Sequence, residues 1–346
     1  MTTADGRLRY VSVLGFDDDW LGRLRAAVPG VEVLQYEGAK IEDVPMPVRA
    51  TMDMLHTSAT LPDPDETPAL RCVQLDTSGV DHVRDTALWR SPVPITTLGG
   101  VSPVPLAEYV LFAILGFAHR LPAMLEVRAA RTWPTPSARW DRFLPATLRG
   151  ATVGIVGYGR IGCEIGRQLG GHGMHVIGVT RSGRLVPADE RAERHYRAPM
   201  TSDHDAEVEI VPTAELDSVV GRCDYLVVVC PLTEETSGLV DASIIAATKP
   251  GAVLVNVARG GIVDETALLA GLRSGQLGGA VLDVFDDEPL SPESPWWSEP
   301  NVFLTPHVAG VAPLYSDHVL ELVATNLQRL LSGGALLNLV DRERGY

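Results

Sequence analysis

One stretch near the middle of the chain restricts the possible folds more than any other. The apolar, β-branched residues 151–156 lead directly into Gly157-Tyr158-Gly159-Arg160-Ile161-Gly162, and residues 161–169 then predict a helix. An apolar run without alternation is typical of a buried parallel strand. A second such run follows at residues 175–179. The sequence therefore predicts a strand–turn–helix–strand unit, which is the context that makes a GxGxxG motif informative.

The three glycines have separate tasks in such a turn. Gly157 permits the tight bend, Gly159 lets the backbone approach a pyrophosphate, and Gly162 allows close packing of helix on strand. The N–H groups and positive dipole end of the helix then face the phosphates. We interpret the motif as a dinucleotide site, with a purely structural glycine turn as the alternative.

Apolar runs alternate with predicted helices along the rest of the chain, which indicates parallel α/β sheets. A length of 346 residues is enough for two domains, each with its own core. Proline-punctuated residues 102–105 mark the boundary, after which a long helix begins near Leu106. Residues 184–209 are rich in charge, and we interpret them as a solvated excursion between two strands.

Composition excludes several classes of function. A net charge of −15 argues against nucleic acid and anionic membranes as partners. No residue run is long and apolar enough to predict a membrane span, and the N-terminal residues lack the apolar core of a signal peptide. Four cysteines without CxxC spacing predict reduced thiols and a cytoplasmic protein.

The first half of the chain contains one candidate anion site. Asp76-Thr77-Ser78-Gly79 follows the apolar residues 72–75, and free backbone N–H groups in a turn of small residues bind anions such as carboxylates. An ordinary strand-to-helix turn capped by Ser78 is an equally good interpretation of these residues alone.

Three predicted strands in the second half end in residues of complementary chemistry. Arg259 lies beside glycines, Glu288 precedes a proline, and His307 follows one. An arginine binds a carboxylate bidentately, a histidine transfers protons near neutral pH, and a carboxylate orients the histidine. Together they suit interconversion of a 2-oxo acid and a 2-hydroxy acid. A structural histidine and a simple Glu-Pro loop remain the alternatives on spacing alone.

Other chemistries have little support in the sequence. We find no HxxxH motif or His/Cys cluster, so we predict no metal site, and a Gly-x-Ser-x-Gly nucleophile elbow is missing.

The sequence resembles a known family, the D-isomer-specific 2-hydroxyacid dehydrogenases, over nearly its whole length. The resemblance to glyoxylate/hydroxypyruvate reductases and phosphoglycerate dehydrogenases rests on several motifs in the family's order. They are the glycine motif 157–162, Pro231-Leu232-Thr233-Glu234-Glu235-Thr236, residues 256–264, residues 282–289, and Thr305-Pro306-His307-Val308-Ala309-Gly310, with softer matches at residues 78–81 and 106–108.

The resemblance implies roles for individual residues. Arg259 corresponds to the arginine that binds the substrate carboxylate, His307 to the acid–base, and Glu288 to its carboxylate partner. Ser78 and Gly79 correspond to the loop whose amides receive the substrate carboxylate. The implied cofactor-binding residues are Gly157, Tyr158, Gly159, Arg160, Ile161, Gly162, Thr180, Arg181, Ser182, Cys230, Pro231, Val257, Ala258, Asp283 (holding the nicotinamide amide) and Gly310.

The resemblance also implies an architecture of two doubly wound parallel-sheet domains. A Rossmann dinucleotide-binding domain, residues 103–306, would be inserted in a flavodoxin-like substrate domain made of residues 1–102 and 307–346. The long helix from Leu106 would help to form a homodimer. Since the sequence ends at Tyr346, we expect no regulatory domain.

One departure from the family pattern concerns the cofactor. NAD-preferring members usually have an acidic residue at the end of the second Rossmann strand, where it binds the ribose 2′-hydroxyl. Here that position is Thr180, followed by Arg181 and Ser182. We predict NAD(P) as cofactor, with NADP accepted and its preference over NAD left open. The alternative is that Arg181 points into solvent and both cofactors bind.

The sequence leaves two functions open. The first is an oxidoreductase that acts on a small 2-oxo acid, and the second is a dinucleotide-sensing corepressor, since corepressors resembling this family have the same trio. Asp76 beside the anion loop is unfavourable for a phosphorylated substrate. Glyoxylate, hydroxypyruvate and larger 2-oxo acids all remain candidates.

Overall fold

The structure is a computed structural model that describes residues 7–38, 40–59, 61–185, 194–198, 208–313 and 315–346. Its internal contacts divide the chain into two units. Among the described residues, the first unit contains 7–101, 194–198 and 313–346, and the second contains 102–185 and 208–312. The second unit therefore interrupts the first in the sequence. Residues 307–312, predicted to belong to the substrate domain, lie in the second unit.

The described elements alternate between strand and helix along most of the chain. The strands are β1 (Leu8–Ser12), β2 (Val31–Gln35), β3 (Met54–Thr57), β4 (Cys72–Leu75), β5 (Ile95–Thr96), β6 (Thr152–Val156), β7 (His175–Thr180), β8 (Val208–Pro212), β9 (Tyr225–Val228), β10 (Ala252–Asn256), β11 (Leu277–Leu282) and β12 (Val302–Leu304). The α-helices are α1 (Asp18–Ala27), α2 (Met46–Arg49), α3 (Ala87–Arg90), α4 (Pro103–Ala118), α5 (Leu121–Ala130), α6 (Pro136–Phe143), α7 (Arg160–Gly171), α8 (Leu216–Val220), α9 (Ala242–Ala247), α10 (Glu265–Ser274) and α11 (Tyr315–Ser332).

The first unit contains a five-stranded sheet with the order β2-β1-β3-β4-β5. All four strand pairs are parallel, which is the flavodoxin-like doubly wound arrangement. Asp17 precedes the helix α1, and its carboxylate accepts the N–H of Trp20 and caps the first turn. Trp20 and Leu24 of α1 pack with Val323 and Leu327 of α11 in the core of this unit. Apolar residues at helical spacing on both helices thus cover the sheet.

The second unit contains a seven-stranded parallel sheet with the order β12-β11-β10-β9-β6-β7-β8. The order reverses between β6 and β9, so the predicted Rossmann fold is confirmed. In sheets of this kind ligands bind at the carboxyl ends of the strands, beside the reversal. The glycine motif follows β6, at that point.

The long helix α4 packs on α7 in the second unit. Val110 and Ile114 of α4 and Ile165 and Leu169 of α7 are buried in one cluster with the strands of the sheet. The helix begins at Pro103, three residues before the predicted start, because proline is tolerated in the first helical turn, where its missing N–H has no partner in any case.

The sequence interpretation gave bounds for only three of the described α-helices, α1, α4 and α7, and among the other elements it missed β5, β8, α5 and α6. The strands β5 and β8 are edge strands, and β8 begins inside the stretch interpreted as a solvated excursion. The helices α5 and α6 flank the region interpreted as a loop-like link. Both helices lie beside residues 133–136, whose prolines indicate a loop, and neither helix has a buried residue.

The interpretation of residues 184–209 as a solvated excursion is wrong for residues 194–198. Tyr196 and Ala198 are buried in the core of the first unit, at 6% and 3% exposure. The N–H of Tyr196 donates to Asn338 Oδ1 at 2.9 Å, and its hydroxyl donates to Glu321 Oε2 at 2.7 Å. The remainder of the excursion, residues 186–193 and 199–207, lies outside the described residues.

Within the described ranges, no single helix is long and apolar enough to cross a membrane. The pair α4 and α5 meets the length and composition criteria jointly, with a bend of 66° between them.

Candidate active site

The glycine turn after β6 has the conformation that the motif predicts. Gly157 has φ +101°, and a Cβ at this position would lie 2.5 Å from the backbone nitrogen of Cys230. A Cβ on Gly162 would lie 2.4 Å from the carbonyl oxygen of Gly157. The turn therefore tolerates no side chain at either position, because it packs against the loop after β9 and against its own helix.

Gly159 differs from these two glycines, since a Cβ built there would meet nothing within 4 Å. It caps α7, whose first N–H groups face the same side as the carboxyl end of β6. An open backbone at a helix N-terminus is the arrangement that accepts a pyrophosphate. The residues present thus fit a dinucleotide, with the contribution coming from backbone rather than from side chains.

Tyr158, Arg160 and Ile161 complete this motif. The ring of Tyr158 is 6% exposed and packs against Gly166 and Gly178, so only its backbone is available at the turn. Arg160 and Ile161 are half-buried in the first turn of α7.

The strand β7 ends beside the glycine turn, at Thr180. Gly157 and Tyr158 both donate their N–H groups to Val179 at 3.0 Å. Arg181 and Ser182 are exposed. The Arg181 guanidinium donates to Glu235 Oε1 at 2.5 Å, with both side chains 59% exposed. Arg181 is thus at the predicted edge of the sheet, but it bonds a carboxylate that the sequence interpretation did not consider.

Two further loops border the turn. Cys230 is buried against Gly157, and burial raises the pKa of its thiol to about 12, so the thiol stays protonated at neutral pH. Pro231 is exposed, and its carbonyl accepts the Thr236 hydroxyl at 2.6 Å. The backbone of Val257 continues the sheet by donating to Val228 at 3.1 Å.

Arg259 lies in the loop after β10. The buried Asn256 side chain shapes this loop, since its amide donates to the carbonyl of Arg259 at 3.1 Å and its oxygen accepts the N–H of Ala258 at 3.1 Å. The Arg259 guanidinium donates to the carbonyl of Ala258 at 2.8 Å. The guanidinium is half-buried and belongs to a preformed loop.

The Arg259 loop packs closely on the loop that contains Glu288. A Cβ on Gly260 would lie 2.1 Å from the carbonyl oxygen of Phe285. The N–H of Gly261 donates to Asp286 Oδ1 at 2.5 Å. Glycine at position 260 is therefore what brings these two predicted site loops together.

His307 and Glu288 form a direct pair. His307 Nδ1 lies 2.8 Å from Glu288 Oε2, and Glu288 Oε1 accepts the N–H of Phe285 at 3.0 Å. The Glu288–Pro289 peptide bond is cis. One oxygen of Glu288 therefore contacts the imidazole and the other accepts a hydrogen bond from its own loop, so the contact with Glu288 uses only Nδ1 of the imidazole.

Asp283 holds the turn that carries His307. Its carboxylate is 2% exposed and accepts three hydrogen bonds, from the Thr305 hydroxyl at 2.6 Å and from the N–H groups of Val308 at 2.8 Å and Ala309 at 2.9 Å. The backbone of Gly310 follows this turn and lies against Leu106 of α4. A carboxylate has about four lone-pair sites, so Asp283 keeps one acceptor position besides its structural bonds.

Ser78 and Gly79 lie in the first unit, in the turn after β4. The Thr77 hydroxyl donates to the carbonyl of Gly79 at 2.7 Å, and the carbonyl of Thr77 accepts the N–H of Leu98 at 2.9 Å. In the described part of the chain, the N–H groups of Ser78 and Gly79 have no acceptor. The turn therefore offers two backbone donors.

Beside this turn, Asp76 lies against a buried histidine. Asp76 Oδ1 is 3.5 Å from Nε2 of His56, whose Nδ1 pairs with the Tyr10 hydroxyl at 2.8 Å. His56 is fully buried and Asp76 is partly exposed. The sequence contained no signal for this contact, because its members come from three separate strands or strand ends.

Sequence reasoning also missed Thr305, Tyr109 and Glu235. Thr305 and Glu235 were named only as members of matched motifs, and Tyr109 was not named. Across the residues that the structure describes, no group of three or more His, Cys, Asp or Glu side chains could hold a metal ion.

Comparison with known proteins supports a common ancestry for the whole arrangement. A family model described as "D-isomer specific 2-hydroxyacid dehydrogenase, NAD binding domain" matches residues 111–309. The chain is 34% identical over 267 residues to the (S)-sulfolactate dehydrogenase of Chromohalobacter salexigens, covering 76% of this chain and 78% of that one. It is 31% identical over 281 residues to the glyoxylate reductase of Thermococcus gammatolerans, covering 81% of this chain and 78% of that one.

Solved structures extend the likeness to nearly the full length. A D-isomer specific 2-hydroxyacid dehydrogenase from Xanthobacter autotrophicus, in complex with NADPH and MES, has a TM-score of 0.78 at 30% identity and covers 98% of this chain and 99% of that one. An NADPH-dependent glyoxylate/hydroxypyruvate reductase from Sinorhizobium meliloti, in complex with NADP and sulfate, has the same TM-score and identity. This likeness covers 98% of this chain and 100% of that one.

Proposed function

Because the chain belongs to the D-isomer-specific 2-hydroxyacid dehydrogenase family and is an NAD(P)-dependent oxidoreductase of 2-hydroxy acids, we propose that it reduces a small 2-oxo acid with His307 as acid–base, Glu288 as its partner and Arg259 as the carboxylate ligand. The observation that carries this assignment is the 2.8 Å contact between His307 Nδ1 and Glu288 Oε2. It joins two predicted site residues that lie nineteen positions apart in the sequence.

The proton chemistry follows from this contact. A carboxylate on Nδ1 keeps the proton on that nitrogen and stabilises the imidazolium, as in other His–carboxylate pairs. Nε2 then donates a proton to the carbonyl oxygen during reduction and takes it back during oxidation. Glu288 cannot rotate away easily, because its second oxygen accepts the N–H of Phe285.

Arg259 is suited to the substrate carboxylate. A guanidinium presents two parallel N–H donors that match the two oxygens of a carboxylate. The Asn256 amide binds the backbone of the Arg259 loop, and Gly260 lets this loop pack against the Glu288 loop. Both loops and His307 follow the carboxyl ends of parallel strands of one sheet, which supports a shared site. We also propose that the N–H groups of Ser78 and Gly79 bind a carboxylate, since they have no acceptor in the described part of the chain.

The cofactor site is proposed from backbone geometry. The open backbone at Gly159 and the N-terminus of α7 would hold the pyrophosphate, and the loops at Cys230–Pro231 and Val257–Ala258 would flank the cofactor. When bound, the nicotinamide supplies the hydride. The remaining acceptor position of Asp283 would orient the amide group, in addition to the bonds that this carboxylate makes to the turn of His307.

We propose that NADP is accepted. At the end of β7, Thr180 replaces the carboxylate that would repel a 2′-phosphate, and exposed Arg181 lies next to it. Its bond to Glu235 is a surface ion pair, a type worth about 0–1 kcal/mol. A 2′-phosphate carries more charge than a carboxylate and would therefore compete well for Arg181. The NADPH and NADP complexes of two structural neighbours are consistent with this proposal.

We propose a homodimer, as predicted, but place its interface on α5 and α6 rather than on α4, the long helix from Leu106 that the resemblance suggested. These helices bury no residue within the chain, and exposed aromatic side chains cluster there, with Trp133 at 86% and Trp140 at 73% exposure. A groove of 340 Å³ is lined by Pro136, Arg139, Trp140, Phe143, Leu144 and Pro145. Apolar patches of this kind mark interaction sites, and a second copy would cover them.

A cytoplasmic location is consistent with the thiols. None of the four cysteines, which all lie in the described ranges, forms a disulfide, and burial raises the pKa values of Cys72 and Cys223 to about 12. We propose a reducing, cytoplasmic compartment on this basis, and cell fractionation is the test.

The decisive experiment measures NAD(P)H oxidation with a series of 2-oxo acids, from glyoxylate and hydroxypyruvate to larger ones. We expect turnover of at least one acid, and a loss of roughly 10²–10⁴-fold for His307→Asn. His172→Asn, at an exposed histidine of the same unit, is the matched control. If cofactor binds tightly but no acid turns over, the chain acts as a dinucleotide-sensing binding protein of the corepressor type, and the catalytic proposal is wrong.

A further inference from the structure

A chain of hydrogen bonds connects the long helix α4 to the turn of His307. The Tyr109 hydroxyl lies 2.6 Å from Thr305 Oγ1, and Thr305 Oγ1 lies 2.6 Å from Asp283 Oδ1. Tyr109 and Thr305 are 196 positions apart in the sequence, and all three residues belong to the second unit. The contact is therefore a product of the packing of α4 beside the carboxyl ends of the strands.

The direction of each hydrogen bond follows from the donors available. A carboxylate only accepts, so the Thr305 hydroxyl donates its single proton to Asp283. The oxygen of Thr305 then accepts the proton of Tyr109. Tyr109 is a stable donor, because burial, together with the charge of Asp283, raises its pKa to about 12. The sequence of bonds is thus Tyr109 to Thr305 to Asp283.

Asp283 connects these hydrogen bonds to the turn around His307. Its carboxylate accepts the N–H groups of Val308 and Ala309, and its backbone carbonyl accepts the N–H of His307 at 2.9 Å. His307 has φ +54°, a left-handed conformation that is uncommon for residues other than glycine. Such a conformation persists only when the surroundings hold it. The bonds from Asp283 are those surroundings.

We propose that Tyr109 is a positioning residue for the acid–base. By orienting Thr305, it fixes the Asp283 carboxylate, and through it the left-handed turn that directs the imidazole of His307 toward Glu288. The proposal rests on the role of His307 proposed above. It differs from a packing role of Tyr109 in α4, since only the hydroxyl group is required.

The test removes that hydroxyl and keeps the ring. For Tyr109→Phe we expect kcat to fall about tenfold, with the KM values for acid and cofactor changed less than about twofold. This loss is smaller than the roughly 10²-fold cost of a 1 Å misplacement, because Val308 and Ala309 still bond Asp283. Tyr225→Phe, at a buried tyrosine of β9, is the matched control and should leave kcat unchanged.

A double-mutant cycle identifies the path. Thr305→Ser keeps the hydroxyl and should retain most of the activity, whereas Thr305→Val should resemble Tyr109→Phe. If Tyr109 acts through Thr305, the kcat of the Tyr109→Phe/Thr305→Val double variant is little lower than that of Thr305→Val alone. Independent, multiplicative losses would overturn the proposal, as would a Tyr109→Phe enzyme with the full kcat.

A second measurement does not depend on turnover. Hydrogen exchange at the amides of Val308 and Ala309 should be faster in Tyr109→Phe than in Tyr225→Phe, since the carboxylate that binds them is less well held. Unchanged exchange rejects the positioning role even if no substrate is found. Faster exchange in a protein that reduces no 2-oxo acid supports the positioning role while contradicting the proposed function, so the two failures are distinct.

Discussion

Glu288 divides its two carboxylate oxygens between the imidazole of His307, at 2.8 Å, and the N–H of Phe285, at 3.0 Å. The pair is therefore oriented by its own loop rather than by chance contact at the surface. We expect Glu288→Gln to lower kcat by about 10²-fold, because a neutral amide stabilises the imidazolium poorly and can bind the wrong tautomer. The measurement is steady-state kcat with the best 2-oxo acid. Glu293→Gln, an exposed residue nearby, should have no effect, and equal losses in both variants would contradict the assignment.

Replacing Arg259 by lysine tests carboxylate binding. Lysine keeps the charge but not the two parallel donors, and charge-assisted hydrogen bonds contribute roughly 1.5–3 kcal/mol each. We expect kcat/KM for the acid to fall about ten- to hundredfold in Arg259→Lys, with the KM for the cofactor nearly unchanged. Arg273→Lys, at an exposed arginine that pairs with Glu299, serves as control. A change confined to the cofactor KM would place Arg259 outside the substrate site.

Two glycines of the motif should separate folding from cofactor binding. In Gly162→Ala the new methyl group meets the carbonyl of Gly157, so we expect a loss of about 1–3 kcal/mol in the free energy of unfolding. Gly159→Ala places its methyl group in open space and should leave stability within about 0.5 kcal/mol. We expect it to weaken cofactor binding by at least about tenfold. Urea unfolding measures the free energy of unfolding, and titration with cofactor measures its affinity. Normal cofactor binding by Gly159→Ala would argue against a pyrophosphate at Gly159.

Arg181 should determine how well NADP competes with NAD. We expect Arg181→Ala to lower kcat/KM for NADPH by about tenfold while changing that for NADH little, since each charge-assisted bond contributes roughly 1.5–3 kcal/mol. Glu235→Gln should act in the opposite direction, because it removes the carboxylate that Arg181 now bonds. The ratio of the two cofactors' kcat/KM values is the measurement. A strong NAD preference in the unmodified enzyme would refute the proposal that NADP is accepted.

The exposed aromatic patch predicts the oligomeric state. Light scattering after size-exclusion chromatography should give twice the 37.2 kDa of one chain. The buried core of a protein interface is usually apolar, so the charge introduced by Trp140→Glu should shift the protein toward monomer. Trp297→Glu changes an equally large exposed residue outside α5 and α6 and should not. A wild-type monomer would rule out the dimer.

The sequence by itself determined the elements that have strong local signals. Buried parallel strands such as β6 and β10 are continuous apolar runs, and the GxGxxG turn and the strand-end positions of Arg259 and His307 follow from short motifs. The sequence interpretation missed β5, β8, α5 and α6, because β5 is only two residues long, β8 borders a charged stretch, and α5 and α6 flank the proline-containing residues 133–136.

Only the tertiary structure decided which groups meet. Tyr196 belongs to the core of the first unit although it follows a charged stretch, Glu235 bonds Arg181, and Tyr109 reaches Thr305 across 196 positions. Each of these contacts joins residues that are distant in sequence, and no local pattern records such a distance. The motifs therefore specify which chemistry the chain contains, whereas the packing of α4 and of the loops at the sheet edge sets the direction in which His307 points.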